Sequence, residues 1–136
     1  MLATGPQTLL HGDPHIANTY LLPNQDGGFL DWQLMVKGRW AHDFTYLLIT
    51  GLSVEERRKN ERELLRFYLD ELRRLGVDHA PEQNEAWLRY RQAAIWGLVI
   101  GWLITPTENY GEAITAANLS RLVTAVADLE TLKALV

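Results

Sequence analysis

His11-Gly12-Asp13-Pro14-His15-Ile16-Ala17-Asn18, followed by Phe29-Leu30-Asp31-Trp32, is the stretch from which the rest of the chain takes its meaning. It sets an aspartate, an asparagine and a second aspartate in one order on short loops. Phosphoryl transfer to a hydroxyl asks a protein for positioning and charge neutralisation more than for covalent chemistry. A carboxylate must receive or orient the proton of the attacking hydroxyl, and Asp13 is the candidate base. An amide and a further carboxylate must hold the magnesium ions that bridge the phosphates, and Asn18 and Asp31 carry the hard oxygen ligands for that task.

Outward from this stretch, Gln7 to Leu10 is a short apolar run that leads into the loop, and Thr19 to Leu22 is a second. Pro23-Asn24-Gln25-Asp26-Gly27-Gly28 is a turn cluster, after which Phe29-Leu30 resumes the apolar pattern. Two short runs around such a turn predict a β-hairpin. It would place Asn18 at the start of one strand and Asp31 at the end of the other, so that both lie at one end of the ribbon. Trp32 to Arg39 has no clean period and predicts a loop, and Trp40 to Ile49 a short helix.

Everything later predicts helices. Ser53 and Glu56 form a capping box, with Leu64, Leu65, Tyr68, Leu69, Leu72 and Leu75 at helical spacing until Gly76 supplies a stop. A third helix is expected from about Glu82 to Leu103, ending at Thr105-Pro106. A fourth carries Leu119, Leu122, Val123, Val126, Leu129 and Leu132 on one face. The expected class is α+β, mostly α: one domain over 1–136, with catalytic and metal-binding loops in 1–50 and a helical subdomain in 51–136.

Composition narrows the partners. Apolar residues are 47% and charged residues 22% of the chain, which argues against general disorder. The net charge of −4 gives no electrostatic surface for nucleic acid. With no cysteine, disulfides, zinc-thiolate sites and thiol catalysis are excluded. The longest apolar run, Ala93 to Ile104, falls short of the roughly 20 residues a membrane span needs and predicts a buried helix. No signal-peptide pattern opens the chain, so a cytoplasmic location and no membrane partner are expected.

The spacing of Asp13 and Asn18 matches the HxDxxxxN arrangement of kinase catalytic loops, with Asp31 in the place of the DFG aspartate. From Leu10 to about Leu48 the chain resembles the catalytic region of the aminoglycoside phosphotransferase and choline kinase-like superfamily, whose loop commonly runs HGDxHxxN. Asp31-Trp32-Gln33 is closer to its ecdysteroid-kinase-like branch. The resemblance implies the C-terminal lobe of a protein-kinase-like fold and transfer of a γ-phosphate from ATP or GTP, with Mg2+, to a small-molecule hydroxyl. It implies Asp13 as base, Asn18 and Asp31 as magnesium ligands, and Asp43, in His42-Asp43-Phe44, as the aspartate that braces the loop. The helices beyond Ser53 would form the substrate-binding subdomain.

The glycine-rich loop, strand lysine and partner glutamate of that family lie far upstream of the catalytic loop, and here only ten residues precede His11, with Gly5 a lone glycine. The expectation is therefore a lobe that lacks its nucleotide-binding partner and is inactive without it. A non-catalytic interaction module derived from such a lobe is the alternative, and a metal-dependent hydrolase built on His11, Asp13 and His15 a third. His11 is expected chiefly to shape the loop. His15, Lys37 and Arg39 could touch phosphate or substrate. Arg57, Arg58, Lys59 and Arg62, alternating with Glu55, Glu56, Glu61 and Glu63, suggest a solvated helix face. Trp87, Tyr90, Trp96 and Trp102 are expected in the core.

Overall fold

The computed structural model describes residues 6–136; Met1 and Gly5 lie outside the described residues. Two small antiparallel sheets are formed before the first α-helix. Strand β1 (Thr8–Leu10) pairs with β4 (Val36–Gly38), Leu9 opposite Lys37. Between them stands the hairpin of β2 (Thr19–Leu21) and β3 (Gly27–Phe29), Thr19 opposite Phe29. Asn24 closes its turn, the side-chain oxygen accepting from Asp26 N–H at 3.2 Å as short polar side chains do in turns. The hairpin lies where the sequence placed it. The segment Trp32 to Arg39 differs from the loop expected there, since Trp32–Leu34 is a 3-10 turn and β4 follows. Three residues paired with a strand far back in the chain leave no local period to detect.

The helices are α1 (Trp40–Gly51), α2 (Val54–Arg74), α3 (Gln83–Trp96), α4 (Glu112–Asp128) and the short α5 (Thr131–Ala134). The mostly helical content with small antiparallel sheets makes the class α+β. Helix α2 starts on a complete capping box, in which Glu56 N–H donates to Ser53 Oγ at 3.2 Å and Ser53 N–H to Glu56 Oε2 at 2.9 Å. Such a cap is worth about 1 kcal/mol. The helix ends in a Schellman motif around Gly76, at φ +83°, with Val77 N–H donating to Leu72 O.

Helix α1 lies at the centre, its Tyr46 and Ile49 packed with Leu65 and Leu69 of α2, Tyr90 and Ala94 of α3, and Leu122 and Ala125 of α4. The third helix departs from expectation after Trp96: Gly97–Leu103 is π-helical. Within the apolar run that predicted a buried helix, Leu98 and Trp102 are buried but Ile100, Leu103 and Ile104 are exposed. On α4 the buried line is Thr115, Asn118, Leu122 and Ala125, continued by Leu129 just past its end, with Leu119 and Val126 partly buried against the core; of the face expected, Val123 is exposed, and Leu132, also exposed, falls on the separate α5. Among the described residues no helix is long and apolar enough to cross a membrane.

The charged face of α2 also requires a correction. Arg57 is 1% exposed and Glu61 is buried. The Arg57 guanidinium donates to Glu61 Oε2 at 2.6 Å and to Asp128 on α4, while Tyr90 donates to the same Glu61 oxygen at 2.9 Å. Partners on α3 and α4, remote in sequence, turn a local ion pair into a buried network, and removing one member of such a network is costly.

In α1, His42 is buried, in a T-shaped contact with Trp96 and with Nδ1 3.2 Å from Arg39 O. Burial lowers its pKa below the ordinary 6.5. The folded state therefore binds fewer protons than the unfolded one just below that value, and stability is present above pH 6.5 and lost on acidification. His42→Asn keeps a donor for Arg39 O and does not titrate. Its melting temperature should fall less than that of the wild-type protein between pH 7.5 and pH 5, and equal falls would show that His42 does not carry the loss.

Candidate active site

Strand β1 delivers the chain to His11, and the loop turns at Gly12, whose φ of +90° few side-chain-bearing residues adopt. A Cβ at this position would lie 2.2 Å from the carbonyl oxygen of Leu34, so the loop packs directly on the 3-10 turn. The turn points two consecutive amides at helix α1. His11 N–H donates to Asp43 Oδ2 at 2.5 Å and Gly12 N–H to Asp43 Oδ1 at 3.2 Å. Burial raises the Asp43 carboxyl above its ordinary pKa, and these two amides oppose that shift by stabilising the charged form.

The His11 ring makes a second tie. Its Nε2 is 2.6 Å from Leu30 O, and Nδ1 accepts from Asp13 N–H at 3.2 Å. An acceptor at Nδ1 and a carbonyl at Nε2 require the neutral ring with its proton on Nε2. The ring packs against Phe29 and Trp32, with centroids 5.3 and 4.8 Å away. His11 thus clasps the loop to the carbonyl just before Asp31. With both nitrogens engaged it has none to give a metal, and the His11, Asp13 and His15 hydrolase set lacks its first donor. Among the described residues no three His, Cys, Asp or Glu side chains gather as a metal-holding group.

Asp13 and Asn18 are joined across the loop, Asn18 Nδ2 donating to Asp13 O at 3.0 Å. That bond directs the amide of Asn18 and leaves Oδ1 as its remaining acceptor. Asn18 O in turn accepts from Leu30 N–H at 2.8 Å, which extends the hairpin ladder to the residue before Asp31. Asp31 itself is exposed and has left-handed backbone, φ +57° and ψ +64°, a conformation that Asp tolerates better than most residues. Gln33 Nε2 donates to its carboxylate at 3.3 Å. One amide oxygen and one exposed carboxylate at the same ribbon end fit magnesium, which takes few protein ligands and keeps waters and substrate phosphates.

His15 Nε2 lies 3.5 Å from Asp13 Oδ2, and its ring meets Tyr110 edge-on. Lys37 is exposed on β4. Arg39 lines a cavity of about 310 Å3 with Trp40, Tyr68, Leu72 and Arg89, whose wall includes none of Asp13, Asn18 and Asp31. Burial and the Arg89 charge both lower the pKa of Arg39. Three residues absent from the sequence-based set stand around the loop. Tyr46 is buried on α1, Trp102 donates from Nε1 to its hydroxyl at 2.8 Å, and Tyr110 packs at a tilt against Trp102, with ring centroids 5.2 Å apart. Burial raises the Tyr110 pKa, and the charges of Asp13 and Asp31 raise it further. No local motif marks these aromatics, which come from α1, the π-helical segment and the turn before α4.

The model of the ecdysteroid kinase-like family matches residues 3–78, which take in Asp13, Asn18, Asp31 and Asp43. Neither a curated protein nor a solved structure matches the chain. The packing of Gly12 on Leu34 gives a direct test. Gly12→Ala should cost roughly 1–3 kcal/mol from the backbone conformation alone, with the clash in addition. Urea unfolding should show a lower midpoint at unchanged slope, and an unchanged midpoint would contradict the packed loop.

Proposed function

Because the chain belongs to the ecdysteroid kinase-like family, within the protein-kinase-like phosphotransferases, we propose that it is the C-terminal lobe of an ATP- or GTP-dependent small-molecule O-kinase. One observation carries this reading: Asp13, Asn18 and Asp31 sit on a loop and ribbon end tied together through the Asp43 carboxylate, the His11 ring and the Asn18 amide. Asp13 takes the proton of the acceptor hydroxyl as that oxygen bonds to the γ-phosphorus and the bond to the bridging oxygen breaks, releasing the nucleoside diphosphate. Magnesium, when bound, neutralises phosphate charge. Asn18 Oδ1 and the Asp31 carboxylate would hold it, and the His11 clasp keeps the two at one ribbon end.

The helices after Ser53 are assigned to acceptor binding, and the strand platform to docking of the nucleotide-binding lobe. Support for the second assignment is the number of apolar side chains the platform leaves open, Leu9, Leu21, Leu30, Leu34 and Met35 each being at least half exposed. The same exposed side chains favour a second reading, a lobe that keeps the fold and serves only as an interaction module.

Phosphate transfer from labelled ATP to a panel of small alcohols, by a protein in which this lobe is joined to its nucleotide-binding lobe, separates the two. Asp13→Asn should lower kcat by about a hundredfold or more, with the KM for ATP within about twofold. Transfer that persists without Asp13 and Asp31, or no transfer at all, would sink the kinase reading.

A further inference from the structure

Helix α1 presents two residues to the catalytic loop. Asp43 and Tyr46 are three positions apart, hence neighbours on one face. Asp43 takes the backbone amides of His11 and Gly12, and Tyr46, 3% exposed, lies one turn deeper. The Tyr46 hydroxyl accepts from Trp102 Nε1–H at 2.8 Å. An indole nitrogen can only donate, so the phenol keeps its own proton to offer to an acceptor other than Trp102. The Asp13 carboxylate belongs to the same cluster: Asp13 follows Gly12, whose amide Asp43 holds, and it lies 3.5 Å from His15, whose ring meets Tyr110, which packs in turn against Trp102. Its charge adds to burial in raising the Tyr46 pKa.

The surroundings fix the phenol ring closely. A Cβ at Gly97 would lie 2.9 Å from it, and one at Gly101 3.0 Å from the ring and 3.1 Å from the hydroxyl. Trp96 makes a T-shaped contact with the ring, centroids 6.0 Å apart. Gly97, Gly101 and Trp102 all belong to the π-helical segment, whose wider turn brings the three to one side against Tyr46. π-Helical turns within α-helices occur frequently at functional sites, and this one does a definable job: it leaves room for the ring and supplies its hydrogen-bond donor. An apolar core would need neither the buried hydroxyl nor the indole aimed at it, since replacing both partners by apolar groups of the same shape is nearly neutral.

We propose that Tyr46 is a positioning residue, whose hydroxyl, oriented by the indole N–H of Trp102, holds the Asp13 carboxylate at the angle needed to receive the acceptor's proton. Its catalytic meaning rests on Asp13 being the base, but the coupling from Trp102 through Tyr46 to Asp13 can be measured without turnover. The chain has five tryptophans and so five indole N–H resonances in a 15N NMR spectrum, and Trp102→Phe identifies the one that matters. Asp13→Asn should move the Trp102 resonance in the otherwise native chain, and should leave it in place when Tyr46→Phe is already present. A Trp102 resonance that does not respond to Asp13→Asn in the native background overturns the proposal. That arm decides the matter even if Tyr46→Phe does not fold.

In the transfer-competent protein, Tyr46→Phe should lower kcat about tenfold with both KM values unchanged, the pattern of a misoriented group rather than a lost binding contact. Unchanged kcat would overturn the proposed role. The two readings fail separately. If Asp13→Asn moves the Trp102 resonance yet spares transfer, the kinase assignment of Asp13 falls and the coupling stands. If transfer needs Asp13 and the resonance stays put, Tyr46 is a core phenol only.

Discussion

A half-buried carboxylate ties the loop after β1 to the helices of this chain. Asp43 projects from the first turn of the central helix and takes both amides of the His11-Gly12 turn, so the position of the loop is inherited from the packing of α1 against α2, α3 and α4. Burial works against the charge on Asp43, and the amides compensate in part. A carboxylate held under that tension would be costly to leave without its partners. The glycine that permits the turn and the helix that supplies the acceptor are thus parts of one constraint. Asn18, Asp31 and the His11 clasp are all referred to it.

How far the sequence discloses this arrangement depends on whether each contact is local. The hairpin is visible because Asn24 to Gly28 is unmistakable turn chemistry, and α2 because Ser53 and Glu56 cap it reciprocally within one turn. Strand β4 is hidden, since its three residues pair with β1 across the whole segment from His11 to Met35. Arg57 shows the opposite error: its i+4 partner Glu61 suggests a solvated pair, and only Tyr90 and Asp128, distant in the chain, make it a buried one. In the site the same rule holds. Asp13, Asn18 and Asp31 follow from spacing, whereas Tyr46 sits among ordinary apolar residues of a helix, and its tie to Trp102 spans 56 positions.

The apolar strand platform and the polar loop face different tasks. Leucines along the platform are exposed, while Asp13, His15 and Tyr110 gather beside the π-helical segment. On the proposed reading the nucleotide is presented from the platform side and the acceptor from the helical side, with the loop between them. The cavity beside Arg39 and Tyr68 contributes no residue of the Asp13, Asn18 and Asp31 set, so size alone does not identify the site.

The central claim, that Asn18 and Asp31 form the metal-holding end of a phosphoryl-transfer site, is tested most directly by paramagnetic broadening with manganese in place of magnesium in the presence of ATP. The amide resonances of Asn18, Leu30 and Asp31 should broaden at the lowest manganese concentration, and Asp31→Asn should abolish that selectivity. Broadening spread evenly over the acidic surface residues, or unchanged in Asp31→Asn, would contradict the account.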